Sequence, residues 1–82
     1  MENQDYKELV ESYGGKAVGL DFNPSKLMSV QVMKINYAGI INDLDQTRTD
    51  ATDGEVKRLC SVAITEAQTA QMWAVKALTF GK

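Results

Sequence analysis

Six small side chains in the last third of the chain recur at steps of three and four: Cys60, Ala63, Ala67, Ala70, Ala74 and Ala77. That spacing places them along one face of a helix. Alanine is the best helix former, and residues 55–80 contain neither Gly nor Pro. A seam of small residues lets a second helix come very close. The chain is therefore expected to fold around a long helix over 55–78, with a partner helix against its seam.

The partner is expected over residues 24–46. Asn23-Pro24-Ser25 reads as a helix start, with Asn as N-cap and Pro at the first helical position, where no N–H is needed. Leu27, Val30, Lys34, Tyr37, Ile41 and Leu44 then step by three and four, and Met33 and Ile40 widen the face. Gly39 sits mid-helix at a cost of about 1 kcal/mol relative to Ala, which a kink or a close backbone approach would explain. Between the arms, QTRTDATDG (46–54) reads as a polar loop, with Asp53 capping the last helix. Counting back from that loop sets Gly39 opposite residues 61–63.

Ahead of the hairpin, residues 3–13 read as a short helix with Tyr6, Leu9, Val10 and Tyr13 on one face, ended by Gly14-Gly15. Residues 16–22 alternate weakly and read as an extended connector. The expected fold is all-α: one domain over 1–82, with an N-terminal helix and linker (1–22) and a long antiparallel hairpin (23–80).

With 82 residues, the core can only be modest. After the seam is used, Leu59, Val62, Met72, Trp73, Val75, Leu78 and Phe80 remain on the last helix. A second copy is the simplest cover for such a face, so a homo-oligomer is expected; the alternative is that the N-terminal helix folds back over it. Thr65, Glu66, Gln68, Thr69 and Gln71 lie between the apolar faces, either as solvated surface or as donors and acceptors lining a pocket.

Composition excludes several chemistries. The net charge of −2 argues against binding a nucleic-acid polymer, while one well-placed cation suffices for a small anion. The chain has no His, so histidine-based acid–base catalysis and the common zinc spacings are absent. Its single cysteine, Cys60, rules out an internal disulfide, fits a reducing compartment and is expected to pack as a small apolar residue. RTDATDG does not match a calcium loop, and Gly14-Gly15 is too little for a phosphate loop. No catalytic constellation, metal site or cofactor is expected, and the protein is not expected to be an enzyme. No stretch reaches the roughly 20 apolar residues needed to cross a bilayer, and MENQDYKE is acidic where a signal peptide is basic. A cytoplasmic protein without a membrane partner is expected.

Lys34 is the odd member of its apolar stripe: it either snorkels to water or meets an anion at an interface. Lys26, at the expected helix start, is the more solvated candidate. Phe22 and Tyr37 offer flat surfaces for a nucleobase, core packing being the plain alternative.

The run SVAITEAQTAQMWAVKALTF resembles the closing helix of the phage anti-CBASS cyclic-oligonucleotide sponges, a helical hairpin shared with one class of anti-Thoeris sponges. The elements that carry the resemblance are Thr65, Gln68-Thr69-Ala70, Met72 and Val75-Lys76-Ala77. Upstream, Phe22 before Pro24-Ser25, then Lys34 and Asn36, resemble the family more loosely, and the whole resemblance covers residues 22–80. It implies a hexamer that binds cyclic di- and trinucleotide signals and hides them uncleaved, in the host cytoplasm during infection. It implies that Phe22 stacks on a base with Asn23 beside it, and that Lys34 or Asn36 binds phosphate, with Lys34 preferred because an anion needs a cation. Tyr37, Thr65, Gln68 and Thr69 complete the expected ligand-binding set on their own chemistry. Ile64 stands where the family often has a basic residue serving a second site, which puts that site in doubt here. One lysine and one aromatic per chain, doubled by two-fold symmetry, would match the two phosphates and two bases of a cyclic dinucleotide. The competing readings are a helical oligomeric adaptor that binds a protein and an inhibitor that docks a helix on a host enzyme.

Overall fold

The computed structural model describes residues 4–82, which form four helices: α1 (Gln4–Glu11), α2 (Tyr13–Val18), α3 (Met28–Asp50) and α4 (Gly54–Thr79). Among the described residues there is no strand. Residue 3, where the first helix is expected to begin, lies outside them.

Gly14-Gly15 does not end the first helix; it sits buried inside α2. A Cβ on Gly14 would lie 2.1 Å from the Ala38 carbonyl oxygen, and one on Gly15 would lie 2.0 Å from that of Leu9. The glycines are there because two neighbouring backbones run against them. Ser12 starts α2 by accepting from the Gly15 N–H at 3.1 Å, and Asn42 of α3 accepts from the Gly14 N–H at 2.7 Å. Gly19 then ends α2 in the left-handed region (φ 64°), and the Leu20 N–H returns to the Gly15 carbonyl at 2.9 Å. Leu20, just past that turn, is only 1% exposed. The extended connector expected over 16–22 is thus half helix and half turn.

The first arm of the hairpin is displaced toward its C-terminus. Asn23 does not cap it. Its Oδ1 instead accepts from the Ser25 hydroxyl (2.6 Å) and the Lys26 N–H (3.2 Å), closing a turn in which Lys26 takes φ 60°. α3 therefore begins at Met28, with Leu27 as an N-cap that lends no side chain. Its far end runs four residues beyond the expected Gln46. Gln46 donates to Asp50 (3.0 Å), Arg48 pairs with Asp45 (2.7 Å), and Lys57 of α4 donates to the Arg48 carbonyl (2.8 Å). That last bond satisfies one of the orphan carbonyls of the helix end. The connector shrinks to residues 51–53, and Asp53 caps α4 as expected, accepting from the Glu55 N–H at 2.8 Å.

α3 and α4 form the antiparallel hairpin. Val30 and Lys34 near the start of α3 share a cleft with Val75 and Thr79 at the end of α4, and Arg48 meets Ser61 at the other end (3.0 Å). This register sets Gly39 level with about Ala70, not 61–63, and no described residue lies within 4 Å of a Cβ built on Gly39. The small seam is not the packed stripe either. Cys60 is buried, but Ala70 and Ala77 are exposed, while Ile64 and Gln71 are buried. The six seam positions take five steps over 17 residues. That period is shorter than the 3.6 residues per turn of a straight helix, so the seam drifts off the packed face.

The core gathers Val18, Leu20, Ala38, Ile41 and Ile64, bordered by Tyr6, Leu9, Val10, Tyr37 and Leu44. α1 and α2 pack on α3, so α1 does not fold back over the outer face of α4. The molecule measures 44 × 30 × 13 Å. α2 lies over part of the α3–α4 hairpin, where Val18 and Leu20 meet Ile64 of α4 as well as Ala38 and Ile41 of α3. The rest of the hairpin surface faces solvent, whereas most domains bury such a surface against a further layer. Val32, Ile40, Leu59, Val62, Met72 and Trp73 are exposed accordingly.

Candidate ligand-binding site

The turn between α2 and α3 closes over one end of the hairpin and leaves a cleft of about 340 Å³. Phe22, Asn23, Pro24 and Ser25 form one wall; Val30, Lys34, Val75 and Thr79 form the other. Its volume lies at the small end of the ligand-pocket range of about 300–1,000 Å³.

Lys34 does not snorkel. It is 6% exposed, and its ammonium donates to the carbonyls of Gly19 (3.1 Å) and Phe22. The Phe22 ring, itself 67% exposed, lies with its centroid 5.7 Å from Nζ. Two carbonyls take two of the three N–H donors and leave the positive charge uncancelled. Among the described residues the ion pairs are Arg48–Asp45 and Arg58–Glu55, so no carboxylate lies within salt-bridge distance of Lys34. Burial pushes the Lys34 pKa below its ordinary value, and the field of Asp21 opposes that shift. A buried cation held by dipoles, beside a flat exposed ring, is suited to an anion that carries an aromatic base.

The structure brings Phe22, Asn23 and Lys34 together and separates the rest of the expected set. Asn36 is exposed on α3, and Tyr37 packs against the core. Thr65 lies in a shallow depression with Arg58, Ser61, Val62 and Glu66. Thr69 belongs to another, of about 390 Å³, with Met72, Trp73 and Lys76. Gln68 is half-buried on α4. Within one chain none of Asn36, Tyr37, Thr65, Gln68 or Thr69 lines the Phe22–Lys34 cleft.

Sequence reasoning missed Val75 and Thr79, which follow only from the true hairpin register. It also missed Gln31, three residues before Lys34. Gln31 Nε2 donates to the Leu20 carbonyl (3.0 Å) and to the Tyr6 hydroxyl, and its Oε1 accepts from Asn23 Nδ2 (3.2 Å). A polar residue one turn from a buried lysine, on a helix with apolar neighbours, was the available signal.

A family model described as the Acb2/Tad1 hairpin domain matches residues 15–79. The chain belongs to that family. It is the family of the anti-CBASS and anti-Thoeris sponge proteins. The Acb2/Tad1 match starts inside α2 and ends with α4, so it contains the whole cleft and leaves out α1. No curated protein and no solved structure matches the chain. Among the described residues there is no cluster of three or more His, Cys, Asp or Glu that would hold a metal ion. No helix among them is long and apolar enough to cross a membrane.

Proposed function

We propose that the protein is a phage anti-defence sponge that binds cyclic oligonucleotide immune signals, cyclic dinucleotides first and cyclic trinucleotides second, and withholds them uncleaved in the host cytoplasm. The observation that carries this reading is Lys34: a buried ammonium without a carboxylate partner among the described residues, beside the exposed Phe22 ring, in a chain of the Acb2/Tad1 hairpin family. Phosphate would take the remaining N–H of Lys34, and a base would lie on Phe22. The reading assigns no residue a bond-breaking role.

The same reading makes the protein a homo-oligomer, a hexamer by the family resemblance. The exposed Met72, Trp73, Leu59 and Val62 of α4 support association. A cleft of about 340 Å³ serves half of a cyclic dinucleotide, so a second copy would bring the other lysine and the other ring. In an assembly, Thr65, Gln68 and Thr69 would reach ligand bound by a neighbouring copy.

A second reading rests on the apolar depression formed by Thr69, Met72, Trp73 and Lys76. It makes the protein a helical adaptor or inhibitor that docks on a host protein. Equilibrium dialysis separates the two. The sponge takes up ligand from a panel of cyclic dinucleotides, a cyclic trinucleotide and cyclic ADP-ribose isomers, and heating the retentate returns that ligand with unchanged mass. Absence of uptake across the panel favours the adaptor.

A further inference from the structure

The turn that carries Phe22 and Asn23 is tied to α3 by two side chains. Lys34 holds the carbonyls of Gly19 and Phe22, and Gln31 holds the carbonyl of Leu20 and the side chain of Asn23. The two ties differ in what a ligand does to them. An anion that takes the third N–H of Lys34 also draws the ammonium toward itself, so its bonds to the two carbonyls weaken as the cleft fills. Gln31 is absent from the cleft lining, and its tie persists.

Gln31 is in turn oriented from α1. Its amide nitrogen donates to the Leu20 carbonyl, an acceptor only, which fixes which end of the amide faces the turn and leaves Oε1 for Asn23; the Tyr6 hydroxyl accepts from the same nitrogen and tethers it to α1. Asn23 then organises the rest of the turn. Its amide nitrogen also donates to the Leu27 carbonyl (3.1 Å), and its oxygen accepts from Ser25 and Lys26. The Tyr6 ring packs on the core, so its hydroxyl is delivered by a fixed element.

We propose that Tyr6 is a positioning residue for the ligand cleft: through Gln31 its hydroxyl holds the turn that presents Phe22 and Asn23. The proposal rests on the sponge reading for its consequence, but its structural content does not. α1 lies outside the residues that the family model matches, so the brace joins the matched hairpin to an element outside it.

The test uses Tyr6→Phe, which keeps the ring and removes the hydroxyl, and Gln31→Met, which keeps the side-chain length and removes both hydrogen-bonding ends. Amide hydrogen exchange is followed without ligand at Phe22 and Lys26, whose N–H groups are bonded within the turn. Faster exchange at both, with α4 amides unchanged, is expected in each variant, and the double variant is expected to be no faster than Gln31→Met alone. Cyclic dinucleotide affinity is then expected to fall roughly 2- to 12-fold in Tyr6→Phe, what the net loss of one hydrogen bond gives. Unchanged exchange at Phe22 and Lys26 in Tyr6→Phe overturns the brace, as does additivity of the two substitutions. If the wild type binds no cyclic nucleotide while exchange behaves as expected, the brace stands and the sponge reading falls.

Discussion

A Cβ placed on Gly14 would stand 2.1 Å from the carbonyl oxygen of Ala38. That closeness lets α2 lie on α3, buries Val18 and Leu20, and sets the turn that roofs the cleft.

Gly14→Ala is therefore expected to destabilise the fold by at least about 1–3 kcal/mol, because the obstructing atom is backbone and cannot rotate away. Gly39→Ala is the contrast. No described residue lies within 4 Å of a Cβ there, so removing the helix-interior glycine is expected to stabilise by about 0.5–1 kcal/mol. Urea unfolding of both variants checks the two signs.

Phe22→Ala is expected to leave stability nearly unchanged, since the ring is two-thirds exposed, and to weaken nucleotide binding by about 1–3 kcal/mol, the range for a base stacked on an aromatic ring. Paired thermal melts and binding isotherms separate the two effects.

Lys34 predicts the pH dependence. Its pKa lies below the ordinary 10.5, chiefly through burial. Only its charged form attracts phosphate, so affinity is expected to decline with rising pH before 10.5 is reached. For stability the sign is opposite. The unfolded chain binds this proton more tightly than the folded one, so the group's unfavourable contribution at neutral pH is relieved as pH rises through the folded pKa toward 10.5. Titrating affinity against pH in the wild type and in Lys34→Arg, whose guanidinium stays charged throughout, with the decline confined to the wild type, checks the assignment.

Trp73 is 67% exposed on the outer face of α4. If the proposed homo-oligomer forms through this face, Trp73→Glu is expected to sediment more slowly than the wild type while the helical circular dichroism persists, since the ring is not in the core cluster. A wild type that already sediments as a single chain, or an unchanged sedimentation coefficient in the variant, would contradict association through Trp73.

The hairpin and the Asp53 cap were legible because they depend on local pattern, an uninterrupted run of helix formers and a capping side chain, whereas the polar connector expected over 46–54 is helical except at 51–53. What was not legible depends on tertiary approach. Gly14-Gly15 has the same local signature whether it breaks a helix or admits one against Ala38. Asn23 is an equally good cap for a helix or for a turn, and the turn prevailed because Ser25 and Lys26 claimed its oxygen. The seam misled because its period drifts around α4, so Ala70 and Ala77 lie off the packed face. At the site, Lys34 stood out as a cation on an apolar stripe, and Phe22 stood out through the family resemblance. Gln31 and Thr79 did not, because their places depend on the loop and on the hairpin register.

Capture of a cyclic nucleotide by the Phe22–Lys34 cleft is read out by titration calorimetry of the whole protein with cyclic dinucleotides, repeated on a folded Lys34→Gln variant. Saturable binding at one dinucleotide per two chains, intact ligand on recovery, and loss of binding in the variant are expected. Binding that persists unchanged in Lys34→Gln, or no heat with any cyclic dinucleotide, overturns the sponge reading.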